Sequence, residues 1–340
     1  MQGTAKHILI IRFSSLGDAA MIVPVVAAFT EAYPKHKVSI LTKKQFAPLF
    51  NHLNSVEVIP VDFNNDYKGI FGLIRLSNKI KSLKIDAIAD LHNVLRTKVL
   101  RFLLPINKWS VLDKGRLEKQ QLISGTIFRP LRPMAERYAD VIHSLGFDFS
   151  LENPRFPETN PFSKNIETVL KNSAQPYVGM APFAAYASKT YPFKKTKNLV
   201  KILSEKSGTV ILFGGGQDEI KKLNVLAETY DNVISVAGQL SIDEELQLMS
   251  HLKVMLAMDS GNAHMAAMMG IKVLTLWGVT HPYSGFKPFN QPLENCLLAD
   301  RKQFPKIPTS VYGNHYPNGY EKAIASISED AIIEAVQKAL

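Results

Sequence analysis

Strand-like and helix-like stretches alternate along almost the whole of this chain, and that alternation admits few folds. Ile8 to Ile11 is an unbroken apolar run, followed by small residues, Gly17 and Asp18, and then a helical pattern. Strands that are apolar throughout suit a parallel sheet covered on both faces, and the helices between them are the crossovers such a sheet requires. In the first half the spacing predicts strands at His7–Phe13, Lys37–Leu41, Val56–Val61, Ala87–Asp90 and Trp109–Leu112. Helices fall at Ala19–Tyr33, Phe46–Leu53, Tyr67–Lys84, Val94–Phe102 and Ala135–Leu145, and residues 113–133 read as a poorly ordered basic loop. Three prolines between Asn153 and Pro161 mark a linker.

The same grammar then restarts. Strands are expected at Tyr177–Ala181, Thr209–Phe213, Asn232–Val236, Val254–Met258 and Lys272–Trp277. Helices are expected at Lys195–Lys206, Asp218–Tyr230, Ile242–Ser250 and Asn262–Met269. Residues 280–320 look irregular, and Ser328 caps a last amphipathic helix, Glu329–Ala339. Two sheet-plus-helix halves imply a cleft between them, the usual place for a ligand.

A length of 340 residues suits two domains, and 46% hydrophobic with 21% charged residues describes a packed globule. The longest uncharged apolar stretch, Ala19–Phe29, is too short to span a bilayer and contains Pro24. The N-terminus lacks a signal-peptide pattern, and Cys296 is the only cysteine, so a cytoplasmic setting is expected. The net charge of +10 is concentrated: Arg96 to Arg137 holds ten basic and three acidic residues, Lys98 and Arg101 among them. Such a field attracts anions, whether nucleic acid, acidic head groups or phosphorylated sugars, although a solvated basic face has the same composition.

Several short segments carry chemistry. Asp18 is a carboxylate at a strand-to-helix turn, hence at the carboxyl edge of a sheet, where open α/β proteins bind ligands. Asp259-Ser260-Gly261-Asn262-Ala263-His264 follows one strand and opens a helix, so its free N–H groups could cradle a phosphate; Asp259 or Ser260 could equally be a plain cap. Gly214-Gly215-Gly216 permits close approach of a ligand but is not a dinucleotide fingerprint. Lys189 lies in a loop of small residues, where it could reach a pyrophosphate or simply be solvated. The sequence has no Asp-x-Asp pair, no His-x-x-x-His and no cysteine cluster, so no metal site is indicated, and no Gly-x-Ser-x-Gly elbow for a serine hydrolase.

Ser14-Ser15-Leu16-Gly17-Asp18, Lys189-Thr190-Tyr191-Pro192 and Asp259-Ser260-Gly261-Asn262-Ala263-His264 occur in the order and rough spacing of one family. Over nearly its whole length the chain resembles glycosyltransferase family 9, the ADP-heptose:lipopolysaccharide heptosyltransferases. That resemblance implies an α/β GT-B fold, two Rossmann-like domains with parallel sheets facing across a cleft. Residues 1–160 would bind the acceptor, residues 161–325 the sugar nucleotide, and residues 326–340 would form a helix crossing back to the first domain. It implies an inverting, metal-independent transfer of a heptose or related sugar from an ADP-sugar to a lipopolysaccharide-core or similar glycolipid. Asp18 matches the family's general base. Lys189, Asp259, Ser260, Gly261, Asn262 and His264 match its donor segment, with Asn262 where a leucine is common. Gly214, Gly215, Asp218 (or Glu219) and Leu240 are looser donor-side matches, and Ser14, Ser15, Gly17, Arg96, Lys98 and Arg101 are the acceptor-side candidates. The chain departs from the family with Gly278-Val279-Thr280 in place of Gly-Pro-Thr, and with no cysteine between residues 305 and 325. No cofactor beyond the ADP-sugar co-substrate is implied. The expected partners are an acidic glycolipid and, peripherally, the inner-membrane surface, with a monomer and no nucleic acid. The rival readings are a GT-B-type sugar-nucleotide epimerase, a basic nucleic-acid-binding protein, and an inactive donor-binding relative.

Overall fold

The computed structural model describes residues 5–171 and 173–340. The chain forms two compact units: one runs to Gly115 and includes Met134–Arg155, the other comprises Arg116–Pro133 and Phe156–Leu340.

The first unit is built from β1 (His7–Arg12), α1 (Leu16–Ala32), β2 (Lys37–Lys43), β3 (Val56–Val61), α2 (Gly69–Ser82), β4 (Ala87–Asp90), α3 (Leu95–Leu103) and β5 (Lys108–Val111). The next helix, α4 (Arg116–Ile123), belongs to the second unit, and α5 (Met134–His143) returns to the first. All five strands are parallel, in the order β3-β2-β1-β4-β5. Ile8, Leu9, Ile10 and Ile11 are fully buried because helices cover both faces of the sheet. On one face α2 and α3 share a core cluster with the strands, contributing Leu73, Leu76, Ile80 and Leu100. On the other, α1 packs against α5.

The second unit adds α6 (Lys164–Leu170), β6 (Tyr177–Ala181), α7 (Phe193–Lys206), β7 (Thr209–Leu212), α8 (Gln217–Ala227) and β8 (Val233–Ser235). It continues with α9 (Ile242–Met249), β9 (Leu252–Met258), α10 (Gly261–Met268), β10 (Val273–Trp277), β11 (Cys296–Leu298) and α11 (Glu329–Ala339). Its six strands are also parallel, in the order β11-β10-β9-β6-β7-β8. Each sheet therefore has one place where the strand order reverses, between β1 and β4 in the first and between β6 and β9 in the second. There the loops leave toward opposite faces and open a crevice at the carboxyl edge.

Residues 113–133, expected as a poorly ordered loop, instead hold α4 and fixed contacts. Arg301 stacks its guanidinium 3.6 Å above the Phe128 ring, Lys119 lies 4.4 Å over Phe286, and the Leu131 N–H donates to the Tyr283 carbonyl at 2.9 Å. Cation–aromatic pairing lets a basic segment pack without apolar periodicity, which is why the pattern does not announce it. Ile332, Ile333, Val336 and Ala339 of α11 lie in the second unit's core cluster, against α7 and β9. Among the described residues no helix is long and apolar enough to cross a membrane.

One titratable group bears on stability. Burial pushes the Glu245 carboxyl on α9 up to about 7. A raised carboxyl value means that the fold prefers the protonated form, so its contribution is fully present below the unfolded value and is lost as pH rises through 7. Replacing Glu245 with Gln should therefore stabilise the protein at pH 8 by about 1–3 kcal/mol and change little at pH 4, measured by urea unfolding at the two pH values.

Candidate active site

The first unit's switch point collects charged and polar groups at the carboxyl ends of β1 and β4. Ser15, in extended conformation, is the N-cap of α1, and Asp18 sits at the third helical position. Asp18 Oδ2 accepts from the Ser15 N–H (3.1 Å) and hydroxyl (2.9 Å), and its Oδ1 accepts from the Tyr138 hydroxyl at 3.1 Å. Arg12, the last residue of β1, places its guanidinium 2.5 Å from Asp18 Oδ2. The same guanidinium donates to the Leu91 carbonyl at 2.6 Å and to that of Ser14. A charge at the end of an apolar strand needs such partners, since an isolated buried ion is costly. Burial works to raise the Asp18 pKa, but Arg12, the two Ser15 bonds and Tyr138 together hold it below the usual carboxylate range. Asp18 is therefore an ionised carboxylate. Its side chain is 16% exposed, and Oδ1 receives one hydrogen bond, which leaves acceptor capacity for a hydroxyl from solution.

His92 lies in the loop after β4, at the same switch point. The Phe13 N–H donates to its Nδ1 at 3.4 Å and its Nε2 lies 3.1 Å from Ser14 Oγ. Burial first, and then the charges of Arg12 and Lys114, push its pKa down to about 3, so the ring is neutral at physiological pH. With Nδ1 accepting, Nε2 carries the proton and donates to Ser14. Ser14, Ser15 and Gly17 thus share the Asp18 turn. Arg96, the second residue of α3, holds its guanidinium 4.7 Å over the Phe63 ring and lines a pocket of about 500 Å³ with Lys43, Lys44 and Asn64. Lys98 and Arg101 point from the exposed side of α3.

At the second unit's switch point, Lys189 follows β6 and Asp259 follows β9. Lys189 Nζ lies 3.2 Å from Asp259 Oδ2, and the Thr280 hydroxyl donates to the same oxygen at 2.9 Å. Both side chains are nearly enclosed, Lys189 11% and Asp259 9% exposed. This lysine is therefore held, not solvated. The Ser188 hydroxyl donates to the Gly313 carbonyl at 2.5 Å, and Gly313 (φ +85°) lies against the lysine stem, where a Cβ would come 2.8 Å from Lys189 Cγ. Gly278 lets the chain after β10 approach the backbone of the residue preceding Lys189, since a Cβ there would strike the Ser188 carbonyl.

Ser260 is the extended N-cap of α10, yet its hydroxyl caps nothing: Ser260 Oγ is buried without a hydrogen-bond partner. At α9, by contrast, the Ser241 hydroxyl accepts from the Glu244 N–H at 3.3 Å and the Glu244 carboxylate answers the Ser241 N–H at 2.8 Å. The first-turn N–H groups of α10 receive no cap from Ser260, a setting that favours anions, and Gly261 and Asn262 there are partly exposed while His264 is buried. Of the looser donor-side residues, Gly214 and Gly215 form the turn between β7 and α8, and the Gly215 N–H donates to Glu219 Oε2 at 2.9 Å. Glu219 is thereby engaged, while Asp218 is exposed; Leu240 is partly buried between β8 and α9. All follow strand carboxyl ends of one sheet. Among the described residues no group of three or more His, Cys, Asp or Glu side chains is placed to hold a metal ion.

The sequence does not single out Arg12, His92, Tyr138, Thr280 or Gly313. Only Arg12 carries a local signal, a charge ending an apolar strand; the others act through contacts with distant segments.

Comparison with known proteins gives a consistent picture. A model of glycosyltransferase family 9 (heptosyltransferase) matches residues 73–314. Lipopolysaccharide heptosyltransferase 2 of Escherichia coli K12 is 22% identical over 357 residues, covering 98% of this chain and 98% of that protein. Among solved structures, a family 9 glycosyl transferase from Veillonella parvula is similar with TM-score 0.78 and 17% identity, over 100% of this chain and 98% of that one. The E. coli heptosyltransferase WaaC with ADP is similar with TM-score 0.70 and 16% identity, over 98% of this chain and 100% of that one. These likenesses place both units among two-domain GT-B folds.

The Lys189–Asp259 pair yields a test. Lys189→Met leaves a nearly enclosed carboxylate uncompensated and should lower stability by about 3 kcal/mol, whereas Lys189→Met with Asp259→Leu should recover most of it. Chemical denaturation of the two variants and wild type reads both effects.

Proposed function

We propose that this chain, which belongs to glycosyltransferase family 9 and is a glycosyltransferase, moves a heptose from ADP-heptose to an acidic glycolipid of the lipopolysaccharide-core type, with inversion at the anomeric carbon. The observation that carries the reading is the division of groups between the two switch points. One holds an ionised carboxylate with a free acceptor position; the other holds a fixed ammonium beside an uncapped helix start. The ADP bound in the solved WaaC structure supports the choice of donor nucleotide.

In this mechanism the acceptor hydroxyl gives its proton to Asp18 Oδ1 while its oxygen bonds to the anomeric carbon. The bond from that carbon to the pyrophosphate breaks on the opposite face, and ADP leaves with the electron pair. Lys189 and the α10 N–H groups stabilise the charge developing on the pyrophosphate without a divalent cation. Ser260 Oγ, the orphaned hydroxyl, gains a phosphate oxygen as partner. Asp18 is a weak base in the ground state, since Arg12 holds its proton affinity down. It becomes effective as the attacking oxygen acquires positive character late in bond formation. Arg12 also anchors the carboxylate, which fixes the direction of its free lone pair. Peripheral, salt-sensitive association with an anionic membrane, a monomeric state and a cytoplasmic location belong to the same proposal. Family membership favours transfer over the epimerase and nucleic-acid alternatives.

Asp18→Asn should lower turnover by at least about 100-fold. The melting temperature should still rise with ADP, and rise less with UDP or GDP. Wild-type kcat/KM should hold on the acid side to below the ordinary carboxylate pKa of about 4, because the depressed Asp18 value keeps the base form populated there. Near-wild-type turnover in the variant removes Asp18 as the base.

A further inference from the structure

The outer layer of the first unit, α2 with α3, presents a surface unlike the rest of the molecule. The two helices share one core cluster beneath them, so their exposed sides belong to one face. On α2 that side shows Ile70, Phe71 and Ile74; on α3 it shows Leu95 and Phe102, seven residues apart and so on one stripe. Phe71 is 79% and Phe102 90% exposed. Large aromatic side chains left in water at this level are unusual and mark an interaction site when they cluster. The charge is equally one-sided: α2 carries Arg75, Lys79 and Lys81, α3 carries Arg96, Lys98 and Arg101, and neither helix has an acidic residue.

We propose that this α2–α3 face is the surface that docks on an anionic lipid bilayer, with Phe71 and Phe102 entering the head-group boundary and the basic residues meeting the lipid charges. The inference rests on the membrane part of the function proposed above and adds its location, which the sequence spreads over Arg96–Arg137. Exposed aromatic and aliphatic residues among basic ones, without acids, are the composition of helices that lie in an interface. Charge complementarity decides against a second copy of this chain. A two-fold dimer on this face would oppose six positive charges to the same six, with no carboxylate on either helix to pair them. Nucleic acid would answer the charge but offers nothing to Ile70, Ile74 and Leu95.

Flotation with vesicles tests the face. The arms are phosphatidylcholine alone and phosphatidylcholine with phosphatidylglycerol, each at low and high salt, with sedimentation velocity of the protein alone and a duplex-DNA gel shift alongside. Wild type should float with the anionic vesicles and much less with the neutral ones. Phe71→Ser with Phe102→Ser should lower partitioning at least tenfold while leaving turnover on a detergent-dispersed acceptor unchanged. These side chains are almost wholly in water, so folding is not at stake, and the melting temperature should match wild type. Arg75→Gln with Lys81→Gln should weaken binding roughly fivefold per charge removed. The same changes at Lys197 and Lys201 on α7 should have no effect. Absent flotation of wild type, or flotation unchanged in both α2–α3 variants, overturns the assignment. So does a dimer that Phe102→Ser dissolves, or a gel shift stronger than the vesicle binding. Turnover without vesicle binding separates failure of this face from failure of the transferase reading.

Discussion

Parallel pairing makes every strand of a sheet finish at the same edge, and in this protein that edge carries the candidate site groups of each unit. The consequence is not optional. Once β1 and β4, or β6 and β9, lie side by side with their crossovers on opposite faces, two loops diverge and a crevice opens between them. Asp18 and His92 occupy one such place, Lys189 and Asp259 the other. The apolar strands beneath, with Ile8 to Ile11 and Val254 to Met258 wholly buried, supply a rigid floor for groups that must hold position.

Two helices begin at these edges and use their N-termini differently. At α1 the Ser15 N–H and hydroxyl both donate to the Asp18 carboxylate, which Arg12 also holds. The carboxylate is thus both a helix cap and the group with an acceptor position to spare. At α10 the equivalent serine leaves the donors unanswered, while the neighbouring carboxylate, Asp259, is committed to Lys189 and Thr280. One terminus is internally neutralised and the other keeps its positive end, a difference decided by which side chain turns inward rather than by residue type.

Much of the architecture is legible in the sequence because parallel strands and amphipathic helices are local patterns. Val56–Val61, Ala87–Asp90, Tyr177–Ala181 and Glu329–Ala339 have the same bounds in pattern and structure. The strand β11 is invisible in the pattern because it is three residues long in a stretch rich in Pro and Gly, and it exists only because β10 offers an edge at Thr275–Trp277. The short helix α4 is hidden by its polarity. The same distinction separates the residues of the site. Asp18 and the 259–264 segment stand at turns that a strand-then-helix pattern locates. The setting of the Lys189–Asp259 pair brings together Gly313 against the lysine stem, Gly278 against Ser188 and Thr280 on Asp259, residues far from Lys189 in the chain, and no local pattern reports such an encounter.

The segment Arg116–Pro133 is drawn from the middle of the first unit's sequence yet is packed with the second. The backbone therefore passes from one unit to the other three times, after Gly115, after Pro133 and after Arg155. Neither unit can be excised by one cut. A fragment beginning at Phe156 would lack the aromatic ring beneath Arg301 and the backbone donor to Tyr283, leaving a basic, unsatisfied scar where Phe128 and Leu131 had been. Modularity in this molecule is a property of its packing and not of its gene order, and exchange of its halves with a relative would have to graft two stretches of chain at once.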